Sequence, residues 1–247
     1  MNQKAITIVV IDTINPSLAR KAIELTSNAI PYDTTALTFS DKPIIAGETR
    51  IPILPLSGID DYNELCLRGL WPYIETDHFV IVQYDGFATN AHVWSDDFLT
   101  VDYIGAPWPW IEENHRVGNG GFSLRSKKLL TALRDPNINV EAGNEDVVIC
   151  RTNRRYLEEK YNIKFATTDL ASTFSYEHGP HKESFGMHGI WNVPLYCTEE
   201  DATLILTTVA SSSWSPERRI WVIQNCMLRR YEDLALRLVQ MFNKEQL

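Results

Sequence analysis

Ala5-Ile6-Thr7-Ile8-Val9-Val10-Ile11-Asp12 is an almost unbroken β-branched run, and its reading decides the fold. A run without polar alternation describes a strand covered on both faces, as in the middle of a parallel sheet. Asn15-Pro16 follows as a helix start, with Asn15 as cap and Pro16 in the first turn. Leu18, Ala22, Leu25 and Ala29 then recur at helical spacing, and Thr34 to Phe39 predicts a second strand. Strand, helix, strand in that order opens a doubly wound α/β fold.

Working outward, a helix is expected over Tyr62 to Leu70, capped by Asp60 or Asp61. A further buried strand is expected over His78 to Tyr84, ended by Asp85-Gly86, and a short one over Tyr103 to Pro107. Phe122-Ser123-Leu124 predicts another strand, 146–161 a helix, and Lys164-Phe165-Ala166 one more short strand. Residues 167–200 read as an irregular loop over the sheet edge. A single helix is expected from Pro216 to Phe242, with Ile220, Ile223, Met227, Tyr231, Leu234, Leu238 and Met241 on one face. That face would dock on the core or on a second copy in a homodimer, or else make a peripheral membrane contact. The division expected is a main domain over 1–200 and a C-terminal strand and helix over 201–247, packing on that domain or on a second subunit.

Composition bounds the function. The chain has 247 residues, 44% hydrophobic and 22% charged, as in ordinary globular proteins. A net charge of −9 argues against wrapping nucleic acid. Cys66, Cys150, Cys197 and Cys226 are scattered with no CxxC, so reduced thiols are expected rather than a zinc cage or disulfides. The opening residues lack the pattern of a signal peptide, and no apolar run would span a membrane, so a cytoplasmic location is expected.

Val117-Gly118-Asn119-Gly120-Gly121-Phe122-Ser123-Leu124-Arg125-Ser126 concentrates glycine just before a strand. The glycines suggest a bare backbone floor that a ring-shaped ligand approaches closely; a plain tight turn explains them equally well. Glu145-Asp146 opens a predicted helix, whose dipole favours their ionised form. Either carboxylate could then take a proton from a hydroxyl, or merely complement the helix end. Asp85 stands past the carboxyl end of a strand, where α/β sheets bind ligands. His188 is a loop histidine able to ligate a metal or to sit unused. Trp94, Trp108, Trp110 and Trp191 are candidates for stacking on sugars or bases, or for wedging loops against the core.

Taken together, Val82-Gln83-Tyr84-Asp85-Gly86-Phe87, Asp102 through Trp108, Gly118 through Ser126, Glu145-Asp146 and Phe185-Gly186-Met187-His188-Gly189 resemble a mainly bacterial domain family of unknown function regarded as glycosyltransferase-like. The resemblance covers about 60–190 closely. It implies a GT-A-like, Rossmann-type mixed sheet flanked by helices, and an enzyme that moves a sugar from a nucleotide-sugar donor to a glycan or lipid-linked glycan, as in bacterial surface polysaccharide synthesis. It implies Asp146 as general base of an inverting reaction, with Glu145 orienting the acceptor or exchanging that role. Gln83, Asp85, Gly120, Gly121 and Arg125 would bind the donor, Arg125 meeting the departing diphosphate. Trp108, Asn119 and Trp191 would bind the acceptor. Asp85 and His188 would hold a divalent cation, Mn or Mg. Gln83 replaces the first carboxylate of the Asp-x-Asp pair usual in that fold, which leaves metal dependence open and keeps a non-catalytic nucleotide-sugar or carbohydrate-binding module as the alternative. Location at the inner face of a membrane is compatible with that family.

Overall fold

The computed structural model describes residues 5–112, 115–140, 143–209 and 214–244. The opening run forms β1 (Ala5–Ile11), with Ile6 and Ile8–Val10 almost inaccessible. It pairs in parallel with β2 (Asp33–Ser40) on one side and β4 (His78–Ile81) on the other, and β3 (Thr49–Pro52) extends the sheet beyond β2. Past β4, β7 (Ser123–Ser126) and β6 (Tyr103–Gly105) continue antiparallel. The order is β3-β2-β1-β4-β7-β6, a mixed six-stranded sheet flanked by helices, as the sequence led us to expect. A second sheet of order β5-β9-β8 joins β5 (Gly86–Ala88), β9 (Gly186–His188) and β8 (Ser175–Tyr176).

The connections on the two sides of β1 leave a switch point between the carboxyl ends of β1 and β4, the place where open α/β sheets hold ligands. Helix α1 (Pro16–Ala29) returns the chain to β2 and buries Leu18, Ala19, Ala22, Ile23, Thr26 and Ala29, while Leu25 is only half-buried. Its cap differs from expectation. Asn15 makes no capping bond; Asp12 Oδ1 instead accepts from the amides of Ile14 and Asn15, both at 2.7 Å.

Several elements correct the sequence reading. Helix α2 (Ile59–Glu64) begins after Gly58 rather than at an aspartate cap, and runs into a π-helical turn over Leu65–Gly69. The predicted 146–161 helix is three pieces: α4 (Glu145–Val147), a π-helical turn over Val148–Thr152, and α5 (Arg154–Tyr161). Between β7 and α4 lies α3 (Lys127–Ala132), capped by Ser126 Oγ on the Leu129 amide. The strand expected at 164–166 is a single bridge from Phe165 to Tyr103. Residues 167–200 are not an irregular loop: they hold α6 (Thr168–Phe174), β8, β9, α7 (Val193–Tyr196) and the start of α8 (Glu199–Val209). No strand occurs among the described residues after 200; α8 crosses the boundary expected there and is followed by α9 (Pro216–Leu228) and α10 (Glu232–Lys244).

The single C-terminal helix is therefore two, because Arg230 turns into the left-handed region at φ 60°. The break rotates the buried face. Val222, Cys226, Leu234, Ala235, Leu238 and Phe242 join the core, whereas Ile220 and Met227 are exposed. All four cysteines are free and buried. No helix among the described residues is long and apolar enough to cross a membrane.

Candidate active site at the sheet switch point

A cleft of ≈ 520 Å³ opens at the carboxyl ends of β1 and β4, lined by Asp12, Thr13, Tyr62, Gln83, Tyr84 and Asp85 among others. Its position follows from the topology, and its acidic floor comes from the first residues that each strand releases. Tyr62 on α2 accepts a 2.8 Å bond from Gln83 Nε2, which fixes the carboxamide. The Gln83 oxygen then faces Gly121, where an added Cβ would stand 2.8 Å from it.

The four widely spaced residues Asp85, Gly121, Asp146 and His188 come together beside this cleft. The Asp85 carbonyl accepts from the Gly189 amide at 2.8 Å, tying β9 to the end of β4. His188 lies against Gly121, so closely that a Cβ there would overlap its ring. The Gly120 amide donates to Asp146 Oδ2 at 3.1 Å. Small residues are required by these approaches, but not for the reason expected from sequence.

Residues 117–122 are buried, and their bare faces are covered by the protein's own side chains. Trp108 packs on Gly118, Glu145 on Gly120 and His188 on Gly121, and a Cβ at any of the three would overlap its neighbour. Gly120 and Gly121 thus admit Glu145 and His188 rather than offering a naked floor. Trp108, 7% exposed, is a core wedge and not an acceptor platform. Asn119 is buried too, its amide nitrogen 2.9 Å from His188 Nδ1 and its oxygen accepting from the Gly121 amide at 3.0 Å.

Arg125 and Glu145 form a fully buried ion pair at 2.9 Å. Arg125 also donates to Ser123 Oγ at 3.0 Å, and Glu145 receives its backbone order from Asn63, whose Oδ1 accepts the Glu145 amide at 3.1 Å. Removing either partner would leave the other charge buried and unanswered. Arg125 therefore does not reach a diphosphate, and Glu145 is not open to an incoming hydroxyl.

Asp146 keeps the half-buried position a base requires. The helix start was expected to favour its charged form; the balance is the reverse. Burial first, and then the adjacent Glu145 charge, raise its pKa to about 6, against the amide bonds from Val147 and Gly120. A carboxyl titrating there accepts a proton at neutral pH while retaining useful basicity.

Glu177, not noticed in the sequence, completes the site from the end of β8. Its Oε1 lies 2.9 Å from His188 Nδ1. Burial alone would lower the His188 pKa, but the hydrogen bond and charge of Glu177 outweigh it and raise it to about 9. Burial pushes the Asp85 carboxyl up, partly offset by His188.

A divalent cation is not well served by this donor set. Glu177 occupies the Nδ1 side of His188, which leaves Nε2 as its one nitrogen able to ligate. Gln83 contributes a carboxamide where a hard cation favours carboxylate oxygens. Among the described residues, no group of three or more His, Cys, Asp and Glu is arranged to hold a metal ion. Asp85 and His188 gather as expected, but the residues present do not fit a metal.

Trp191 is half-buried and belongs to an aromatic cluster with His178, Trp110 and Trp221. The exposed Arg218, near the start of α9, lies 5.5 Å from the Trp191 ring, and its charge acts on Asp85, Tyr84 and His178. Neither Trp221 nor Arg218 is distinguishable in sequence from other residues of an amphipathic helix. Trp94 is a structural residue, edge-on to Tyr32, Phe98 and Phe185.

Among solved structures, similarity is found to a glycosyltransferase involved in glycosylation of the major capsid of PBCV-1. That match has a TM-score of 0.48 and 13% identity, and covers 82% of this chain and 99% of the other. The galactosyltransferase LgtC, solved with donor and acceptor sugar analogs, matches with a TM-score of 0.47 and 11% identity over 87% of this chain and 100% of its own. Comparison with curated proteins gives no match. A family model matches residues 48–188, the segment that contributes Gln83, Asp85, the glycine motif, Asp146, Glu177 and His188. The chain accordingly belongs to the family described as "Protein of unknown function (DUF5672)".

Proposed function

We propose that this protein is a glycosyltransferase that moves a sugar from a nucleotide-sugar donor to a hydroxyl of a glycan acceptor. The observation that carries the reading is that Asp146 is bonded to the Gly120 amide, on the same glycine segment against which His188 and the cleft residue Gln83 lie. That half-buried carboxyl, with a pKa of about 6, is the group assigned here as the base.

In this reading the nucleotide occupies the cleft between Asp12 and Tyr62, with Asp85 and Gln83 toward the sugar. Carboxylates and a fixed carboxamide suit ribose and sugar hydroxyls, which donate hydrogen bonds. Asp146 removes the proton of the acceptor hydroxyl as its oxygen attacks the anomeric carbon, the bond to the diphosphate breaking on the far side. That geometry inverts the anomeric centre. The diphosphate leaves with its added charge, and Arg218 replaces Arg125 as the side chain suited to meet it, since guanidinium pairs with phosphate oxygens in a fork.

Donor binding and turnover separate the parts of the proposal. Calorimetry with uridine and guanosine diphosphate should show binding that survives a chelator, and Arg218→Ala should weaken it about tenfold. Asp146→Asn should bind nucleotide as the wild type does and lose at least about a hundredfold in transfer or donor hydrolysis. Undiminished turnover in that variant would remove Asp146 from the mechanism.

A further inference from the structure

A second cavity of ≈ 520 Å³ is lined in part by Glu177, the partner of His188. Glu177, Trp191, Trp221, Gln224 and Asn225 are among its lining residues. A chain of contacts connects the two cavities. Gln83 lines the first and Glu177 the second, and His188 lies between them, bonded to Glu177 and packed on the glycine that Gln83 faces.

The chemistry of this cavity selects its ligand. Trp191 and Trp221 meet at 67° with centroids 5.6 Å apart, and His178 and Trp221 at 76°. His178 stacks on Trp191 at 30° with centroids 5.0 Å apart and Trp221 stands across that pair, so the three rings form a corner in which Trp221 is the exposed wall. A flat base stacks best in a slot; a puckered ring with apolar C–H faces and hydroxyl edges fills a corner, placing its C–H groups on the electron-rich ring faces. Among the described residues no Lys or Arg lines the cavity, and burial holds His178 below its ordinary pKa, which disfavours an anionic ligand.

A polar handle is present as well. Glu177 is 7% exposed; Oε1 is engaged with His188, while Oε2 has no hydrogen-bond partner among the described residues. A buried carboxylate oxygen without a donor is costly, and a ligand hydroxyl would satisfy it.

We infer that the corner formed by Trp191, Trp221 and Glu177 binds an uncharged saccharide ring, and is the acceptor subsite of the transfer reaction. The assignment to the acceptor rests on the glycosyltransferase reading; the saccharide site does not. The sugar's apolar face lies on Trp221, which is 41% exposed and free to receive it, and its hydroxyls reach Glu177 and the Gln224 carboxamide. This replaces Trp108 and Asn119 with Trp221 and Glu177 as acceptor residues, and keeps Trp191.

The test is saturation-transfer NMR and tryptophan emission on the full chain with four probes: lactose, cellobiose, maltose and N,N′-diacetylchitobiose. At least one should receive saturation through its ring C–H protons, and Trp221→Ala should weaken its binding about tenfold. Gln224→Ala, at the cavity rim, should weaken it several-fold, and melting curves of both variants should match the wild type. Absence of saturation in all four probes, or equal binding by wild type and Trp221→Ala, would overturn the inference. Uridine and guanosine diphosphate titrations on the same samples keep the two readings apart. Nucleotide binding without saccharide binding leaves the transferase and removes this subsite. Saccharide binding without nucleotide binding leaves a glycan site and removes the transferase.

Discussion

The base proposed here, Asp146, comes at a cost to the fold. Its pKa of about 6 lies above the ordinary carboxyl value, so the folded protein holds this proton more tightly than the unfolded chain does. Stability from this group is therefore lost as pH rises from about 4 through 6, while a base must be deprotonated to act. Transfer should accordingly fall as pH drops through about 6, measured as kcat/KM on a pH series. Asp146→Asn should melt no lower than wild type at pH 8, and that relative advantage should shrink toward pH 5. The glycines make a second residue-scale prediction. Gly118→Ala would drive a methyl into the Trp108 ring, and Gly121→Ala into His188. Each should cost about 1–3 kcal/mol by denaturant titration. The His188 resonances should shift only in Gly121→Ala. Much of this site was legible: Gln83, Asp85, Asp146 and His188 were singled out from sequence and are found together. The misreading lay in what glycine implies. Missing side chains show that something approaches the backbone, but not whether it is a ligand or the protein's own Trp108, Glu145 and His188. Arg125 was misplaced for a related reason, since only coordinates reveal that its charge is answered by Glu145.

At the scale of elements, legibility depended on how each segment ends. Helix α5 stops at Tyr161 because Asn162 adopts the left-handed turn at φ 51°, and asparagine announces that turn. The stop between α9 and α10 uses the same device on arginine. The Tyr231 amide bonds back to the Cys226 carbonyl at 2.9 Å and the Arg230 amide to Met227 at 3.0 Å, closing a Schellman turn with Arg230 at the left-handed position. Nothing in an arginine signals such a turn, so two helices read as one and the buried face was rotated. Arg230→Gly should relieve that conformation and raise stability by about 1 kcal/mol, measured by thermal or urea melts. The two π-helical turns were equally hidden, because both preserve the apolar periodicity. They bring Cys66 and Cys150 into the core near the Arg125–Glu145 pair, whose charges act on both thiols. Such turns often accompany functional sites. The opening strand, helix and strand were clear in sequence because the first run is short and β-branched and Asn15-Pro16 marks where the helix begins.

For the molecule as a whole, one hydrophobic cluster includes residues from β1 through α10, with Val222, Cys226, Leu234, Leu238 and Phe242 in continuity with the sheet. We propose that 1–200 and the helices after it unfold together, seen as one calorimetric transition whose calorimetric and van't Hoff enthalpies agree. Two separated transitions would show the C-terminal helices to be an independent unit. The aromatic corner has a further consequence for how such a protein is born. Its walls come from Glu177, Trp191 and Trp221, while the base and the switch point lie far upstream. A ribosome must therefore translate past Trp221 before the proposed saccharide corner can close, and a nascent chain stalled earlier would hold the proposed base without that corner.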